Sequence, residues 1–207
     1  MNNLITNTNS KIKHTNQIND SNIYEFNLPA YQTKKGKIVC PFADDCVEYC
    51  YADKGTYLYP NVQNKYNNNY EITKQDNFIE LIQNEINKKN PSHIRLHSSG
   101  DFYNIDYLLK WLVIADNNPD VIFYCYTKSI PFFKNRNIRS ILSNLNNFIY
   151  TFSTGSKKDN LININFDRHA KIFNNEFDLL KDGYINASKN DLIAINPDNK
   201  KIGLIYH

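Results

Sequence analysis

Apolar positions along this chain recur with two periods in turn, every second residue and then every third or fourth, and the alternation predicts its elements. Ile23 to Leu28 alternates as a strand that Pro29 ends. From about Thr73 the period becomes helical: Phe78, Ile79, Ile82 and Ile86 share one face, Thr73 and Asp76 have capping-box spacing, and Pro91 closes the segment. His93 to Ser98 reads as a strand again. An amphipathic helix over Ile105 to Asn117 follows, with Leu108, Leu109, Trp111, Leu112 and Ala115 inward and Pro119 beyond its end. Val121 to Thr127 is apolar enough for burial on both faces, as in a parallel sheet. Pro131 begins a helix that reaches about Leu145 with a break near Asn135, and Phe148 to Ser153 is the next strand.

The remainder is less periodic. Residues 1–22 are polar and asparagine-rich, which predicts a poorly ordered leader ahead of a single α/β domain over 23–207. The patch from Asn61 to Tyr70 reads as a solvated loop. Ala170 to Phe173 reads as a strand and Glu176 to Lys181 as a short helix. Asp191 to Ile195 and Lys201 to Tyr206 read as a terminal hairpin turning at Pro197, Asp198 and Asn199. Strands and helices joined by short connections imply a mainly parallel sheet.

Composition changes this picture little. Roughly one residue in six is asparagine, a bias that an AT-rich genome explains more simply than function does. No apolar run reaches membrane-spanning length and no signal peptide opens the chain, so the expectation is a cytoplasmic protein, in the host cell if phage-encoded. A net charge of +3 does not indicate a nucleic-acid partner. Lys128, Lys134, Arg136 and Arg139 form a short cationic stretch, read as a solvated helix face.

Cysteine spacing changes it a great deal. Three of the four cysteines, Cys40, Cys46 and Cys50, fall within eleven residues, and an odd trio cannot pair off internally. Without a secretory context, such a trio points to metal or cluster ligation. Zinc would require a fourth protein ligand, whereas a four-iron four-sulfur cluster can be held by three thiolates with one iron left open. Buried inert thiols are the bland alternative, and they are the favoured role for Cys125, which sits mid-strand between aromatics.

In parallel α/β folds, ligands sit at the carboxyl ends of the strands. That principle gathers His97 to Asp101, Thr127 to Ser129 and Ser153 to Ser156 at one end, with the cysteine loop over them. Gly100 there would let the backbone approach a ligand and Asp101 would offer a carboxylate. Arg95 shares the His97 face by alternation and could meet an acid. His97 could be a fourth ligand or a proton donor, or a hydrogen-bonded histidine lining the pocket. His169 reads as polar surface.

Four separated segments carry a resemblance: Phe26-Asn27-Leu28-Pro29-Ala30, then Cys40-x5-Cys46-x3-Cys50-Tyr51-Ala52, then Arg95 to Phe102, and Phe123 to Ser129. Over residues 23–156 the chain resembles the phage gene product 88 family. That family in turn looks like a short relative of the radical S-adenosylmethionine enzymes. The second resemblance implies a partial (β/α) barrel with an iron-sulfur loop at the carboxyl ends of the strands, and too few residues for the ~250 of a full barrel. It implies a 4Fe-4S cluster on Cys40, Cys46 and Cys50, with S-adenosylmethionine on the open iron. Ser99, Gly100 and Asp101 would then meet the methionine amine, and Lys128 and the Thr154 turn its carboxylate or the ribose. The chain departs from the usual C-x3-C-x2-C spacing, and an aspartate stands where that superfamily has a glutamate. A cluster protein that transfers electrons or serves phage assembly, and a zinc-bound structural module, remain the other two readings. The substrate or protein partner stays unnamed.

Overall fold

In the computed structural model, which describes residues 3–206, seven strands form one sheet and eight α-helices pack on it. In chain order the elements are α1 (Ser10–Asn19), β1 (Ile23–Phe26), α2 (Pro60–Ile72), α3 (Phe78–Lys89), β2 (His93–Leu96), α4 (Ile105–Asp116) and β3 (Ile122–Thr127). They continue with α5 (Ile130–Lys134), α6 (Arg136–Leu142), β4 (Phe148–Ser153), β5 (His169–Phe173), α7 (Glu176–Lys181), β6 (Ile185–Asn186), α8 (Asp191–Ile195) and β7 (Lys201–Ile205). The strand order is β1-β2-β3-β4-β5-β7-β6, and every neighbouring pair is parallel. The sheet does not close, because β1 and β6 lie at opposite edges. The architecture is therefore α/β with an open seven-stranded parallel sheet.

The pleat divides the strand residues between two faces. Phe26, Ile94, Leu96, Phe123, Cys125 and Phe152 join the buried side chains of α3, α4 and α6 in the main core, with Trp111 at its centre. Trp111 packs edge-on against Phe26 and Phe78, with ring centroids 5.2 and 5.5 Å away. Burying one such side chain is worth about 1.5–3 kcal/mol. The opposite face carries Glu25, Arg95 and Tyr124 in register across three strands. Asp191 of α8 and Lys11 of α1 lie over that row. Arg95 donates to Asp191 Oδ2 at 2.8 Å, Tyr124 donates to the same oxygen at 2.9 Å, and Lys11 Nζ lies 2.7 Å from Oδ1.

This clamp explains two departures from expectation. The segment read as a poorly ordered leader forms α1 and buries Leu4, Ile5 and Ile12, because Thr6 bridges Glu25 at the sheet edge and Lys11 reaches Asp191. The expected terminal hairpin is absent. Asp191–Ile195 is helical, capped by Asn190, whose side chain accepts from Leu192 N. Lys201–Ile205 instead pairs in parallel with β5 and β6. A five-residue apolar run does not carry enough period to separate strand from helix, and the buried ion pairs decide it.

Two further elements differ. Asn61 to Tyr70 is not a loop but most of α2, with Pro60 at its start, because Tyr66, Asn69 and Tyr70 face inward. Asn69 Nδ2 donates to Asn27 O at 2.9 Å, so an asparagine-rich helix is held by tertiary bonds rather than by propensity. Thr73 therefore ends α2 rather than capping α3, which begins at Phe78. The break near Asn135 does occur: Asn135 accepts from Asn137 N and Ile138 N and starts α6. No described helix is long and apolar enough to cross a membrane.

Candidate functional site

Strand polarity brings the exit turns of β2, β3 and β4 to one end, and the loop after β1 folds over them. Its first part is anchored at Tyr31, whose carbonyl accepts from Val39 N at 2.7 Å and Cys40 N at 3.1 Å. Its middle pairs with the turn after β4 through the Ala43–Ser156 bridge, with Asp44 N donating to Gly155 O at 3.3 Å and Lys157 N to Phe42 O at 3.0 Å. Asp159 shapes that turn by accepting from Gly155 N and Ser156 N at 2.8 and 2.9 Å. Tyr51, next to Cys50, donates to Ser98 O, and Ser98 Oγ donates to the buried Glu25.

The result is a cavity of about 150 Å³ lined by Cys40, Cys46 and Cys50 together with Arg95, His97, Ser99, Gly100, Asp101 and Lys128. All three thiols are free and only half-buried. Burial pushes the Cys40 thiol far up and the Cys50 thiol up, against a smaller downward pull from the Lys128 ammonium. Both are thus protonated thiols unless something in the cavity stabilises the thiolate. Among the described residues, no group of three or more His, Cys, Asp or Glu side chains is gathered in metal-binding geometry. The trio shares one cavity wall without being closed on a centre.

Each of the other candidates has a definite position. Asp101 is buried, and all its bonds brace the fold: Oδ1 accepts from Thr127 Oγ1 and Phe102 N at 2.7 Å each, and Oδ2 from Lys128 N at 2.8 Å. Burial nevertheless raises its pKa above the usual carboxylate value. Gly100 has φ +83°, and a Cβ there would stand 2.6 Å from Leu28 Cβ, so its missing side chain serves chain packing rather than ligand approach. Lys128 Nζ donates to Ser153 Oγ at 3.2 Å. Ser153 lines the cavity and Thr154 does not; Thr154 N is tied to Ala170 O at 2.9 Å.

His97 is a left-handed residue, φ +68°, whose Nε2 is 2.8 Å from Tyr107 Oη. Burial lowers its pKa to about 3, so the ring is neutral at physiological pH. Cys125 lies in the main core and takes no part in the lining. His169 is not on the surface as expected. It is buried, with Nδ1 2.9 Å from Asp167 O and Nε2 3.0 Å from Tyr184 Oη, because β5 is interior to the sheet.

Among the described residues, Arg95 Nε, His97 Nδ1, Ser99 Oγ and Tyr126 Oη are buried side-chain polar atoms without a hydrogen-bond partner, and all four belong to residues lining this cavity. A buried polar atom without a partner costs about 1–3 kcal/mol. Their concentration at one place makes it the candidate site. Tyr126 lies on the Tyr124 face of β3 and is visible as lining only once the sheet is known. Tyr49, also in the lining, packs beneath Gly155, where a Cβ would stand 3.1 Å from its hydroxyl.

A curated protein, the gene 88 protein of Mycobacterium phage L5, is 28% identical over 101 residues, which is 43% of this chain. The match covers 42% of that relative's length. No solved structure matches the chain. The family model described as gene product 88 matches residues 3–206, and the chain belongs to the gene product 88 family.

Proposed function

We propose that this protein is an iron-sulfur protein in which Cys40, Cys46 and Cys50 hold a 4Fe-4S cluster, and that it acts as a radical S-adenosylmethionine-like enzyme with an incomplete barrel. The carrying observation is that three thiols of one loop line a single cavity at the carboxyl ends of parallel strands, beside a cation and four unpartnered buried polar atoms. The donor set suits the group: soft thiolates, no carboxylate free of other bonds, and Lys128 to offset negative charge. When bound, such a cluster with S-adenosylmethionine supplies one-electron reduction and hydrogen-atom abstraction.

The chain's own residues would do the rest. The Tyr31 carbonyl and the Ser156 bridge would hold the first part and middle of the loop, around Cys40 and Ala43. Ser99 and Gly100 present the β2 exit, Asp101 holds the Lys128 backbone against it, and Lys128 Nζ with its neighbour Ser153 Oγ would receive a carboxylate. His97 stays neutral and can accept or donate at Nδ1. Cys125 in the core argues against an all-cysteine closed site, which an electron-transfer protein would favour.

Anaerobic purification with iron, sulfide and zinc analysis tests the reading, followed by electron paramagnetic resonance of the reduced protein with and without S-adenosylmethionine. The expected result is a four-iron signal that changes on adding the nucleoside. An unchanged cluster signal would favour the electron-transfer role, and stoichiometric zinc without iron would refute the cluster.

A further inference from the structure

A second and larger cavity, about 650 Å³, adjoins the thiol cavity and shares Tyr49, Tyr51, Arg95, Ser98, Ile172 and Leu204 with it. Its volume falls in the range of small-molecule sites, about 300–1,000 Å³. Tyrosines aside, its ionisable lining is Lys11, His14, Arg95 and Lys189, with no Asp or Glu among the described lining residues. The carboxylates behind it do not neutralise it. Asp191 is shared between Lys11 and Arg95, and Glu25 faces Arg95 from the next strand, which leaves three cations with Lys189 against two acids.

Two independent features point at a ligand. The amino end of α1 opens into the cavity through Asn9, Ser10 and Lys11; Asn9 Oδ1 caps the Lys11 and Ile12 amides, but the first turn holds no acid, so no formal negative charge offsets the positive end of the helix dipole. Arg95 is only 7% exposed, and its Nε has no partner although NH1 is bound to Asp191. Four tyrosines, Tyr49, Tyr51, Tyr57 and Tyr206, line the cavity beside the aliphatic Ile172, Leu204 and Ile205. Tyr51 meets Tyr57 edge-on with ring centroids 5.8 Å apart, and Tyr49 meets Tyr206 at 6.4 Å.

We infer that this cavity binds a small ligand carrying both an anionic group and an aromatic ring. The anion lies at the amino end of α1 among Lys11, Arg95 and Lys189, and the ring lies against Tyr51, Tyr57 and Tyr206. This assignment is independent of what the three thiols hold.

Titration calorimetry of the full-length protein with AMP, adenosine and inorganic phosphate tests it, since the three probes carry both groups, the ring alone and the anion alone. AMP is expected to bind about ten-fold tighter than either partial probe. Its affinity should fall several-fold between about 0.05 M and about 0.3 M salt, as the screening length shortens. Two exposed positions supply variants that spare the fold. Ser10→Asp puts a carboxylate at the helix end, where it favours the helix and competes with the anion. Lys189→Ala removes a cation. Each is expected to weaken AMP about five-fold or more while leaving adenosine unchanged and the melting temperature intact. AMP binding no tighter than adenosine, no AMP binding below about 1 mM, or AMP affinity untouched in both variants overturns the assignment.

Discussion

Gly100→Ala isolates what the β2 exit turn demands of its backbone. Two costs add at this position. A non-glycine residue at φ +83° costs about 1–3 kcal/mol. The new methyl would also stand 2.6 Å from Leu28 Cβ and 3.2 Å from Pro29 O, atoms that no side-chain rotation can move, and such overpacking costs about 1–3 kcal/mol. The expected loss is therefore about 2–6 kcal/mol, a large part of the roughly 5–15 kcal/mol that stabilises a typical domain. Gly36→Ala supplies the control: φ is +73° there, but nothing lies within 4 Å of the added carbon, so only the conformational cost applies. Urea unfolding at pH 7 gives both losses from the midpoints, provided the slopes agree. Equal losses in the two variants would refute the steric part of the argument, and with it the claim that Gly100 is required by its close packing on Leu28 rather than by a ligand.

Three other outcomes are expected. In anaerobically purified protein, alanine at Cys40, Cys46 or Cys50 should each lower bound iron several-fold, whereas Cys125→Ala should keep the iron and cost about 1–3 kcal/mol of stability by leaving a core cavity; metal analysis and urea unfolding read the two effects. Burial pushes Asp191 upward, but Arg95 and Lys11 outweigh it and hold the carboxyl near 2, below its unfolded value. Its stabilisation is thus complete above about pH 4 and is lost as pH falls towards 2, and Asp191→Asn should cost about 3–5 kcal/mol at pH 7 by taking from the buried Arg95 and the partly buried Lys11 the charge they share. His97 works in the opposite sense. Its folded pKa of about 3 lies below the unfolded value, so the unfolded chain binds a proton first, and stability should fall by up to about 1.4 kcal/mol per pH unit below about 6.5. Urea midpoints at pH 7, 6 and 5 for wild type and His97→Gln check this, and parallel pH dependences would exclude His97 as the source.

Much of the fold is legible in the sequence because local pattern and tertiary burial agree there. β2, β3 and β4 lie at the expected positions, and Asn135 breaks the α5–α6 segment because its side chain caps the next helix. The reading fails where local pattern is weak. Residues 61–70 carry little apolar content, and their helix is held by Asn69 reaching Asn27 and by Tyr66 and Tyr70 turning inward, contacts between residues some 40 positions apart. The α1 segment likewise orders because Lys11 finds Asp191, 180 positions later.

By itself the sequence determined the parallel strand-helix alternation, the loop that carries three cysteines, and the buried placement of Cys125, all of which rest on residue spacing over short distances. Only the tertiary structure decided that the sheet stays open, that Asp101 is a brace and Thr154 lies outside the cavity while Ser153 lines it, and that Arg95 and Lys11 share one buried carboxylate. These are outcomes of register and of long-range charge pairing. No local period encodes them, since a strand's pattern says which face a residue occupies but not which partner waits across it.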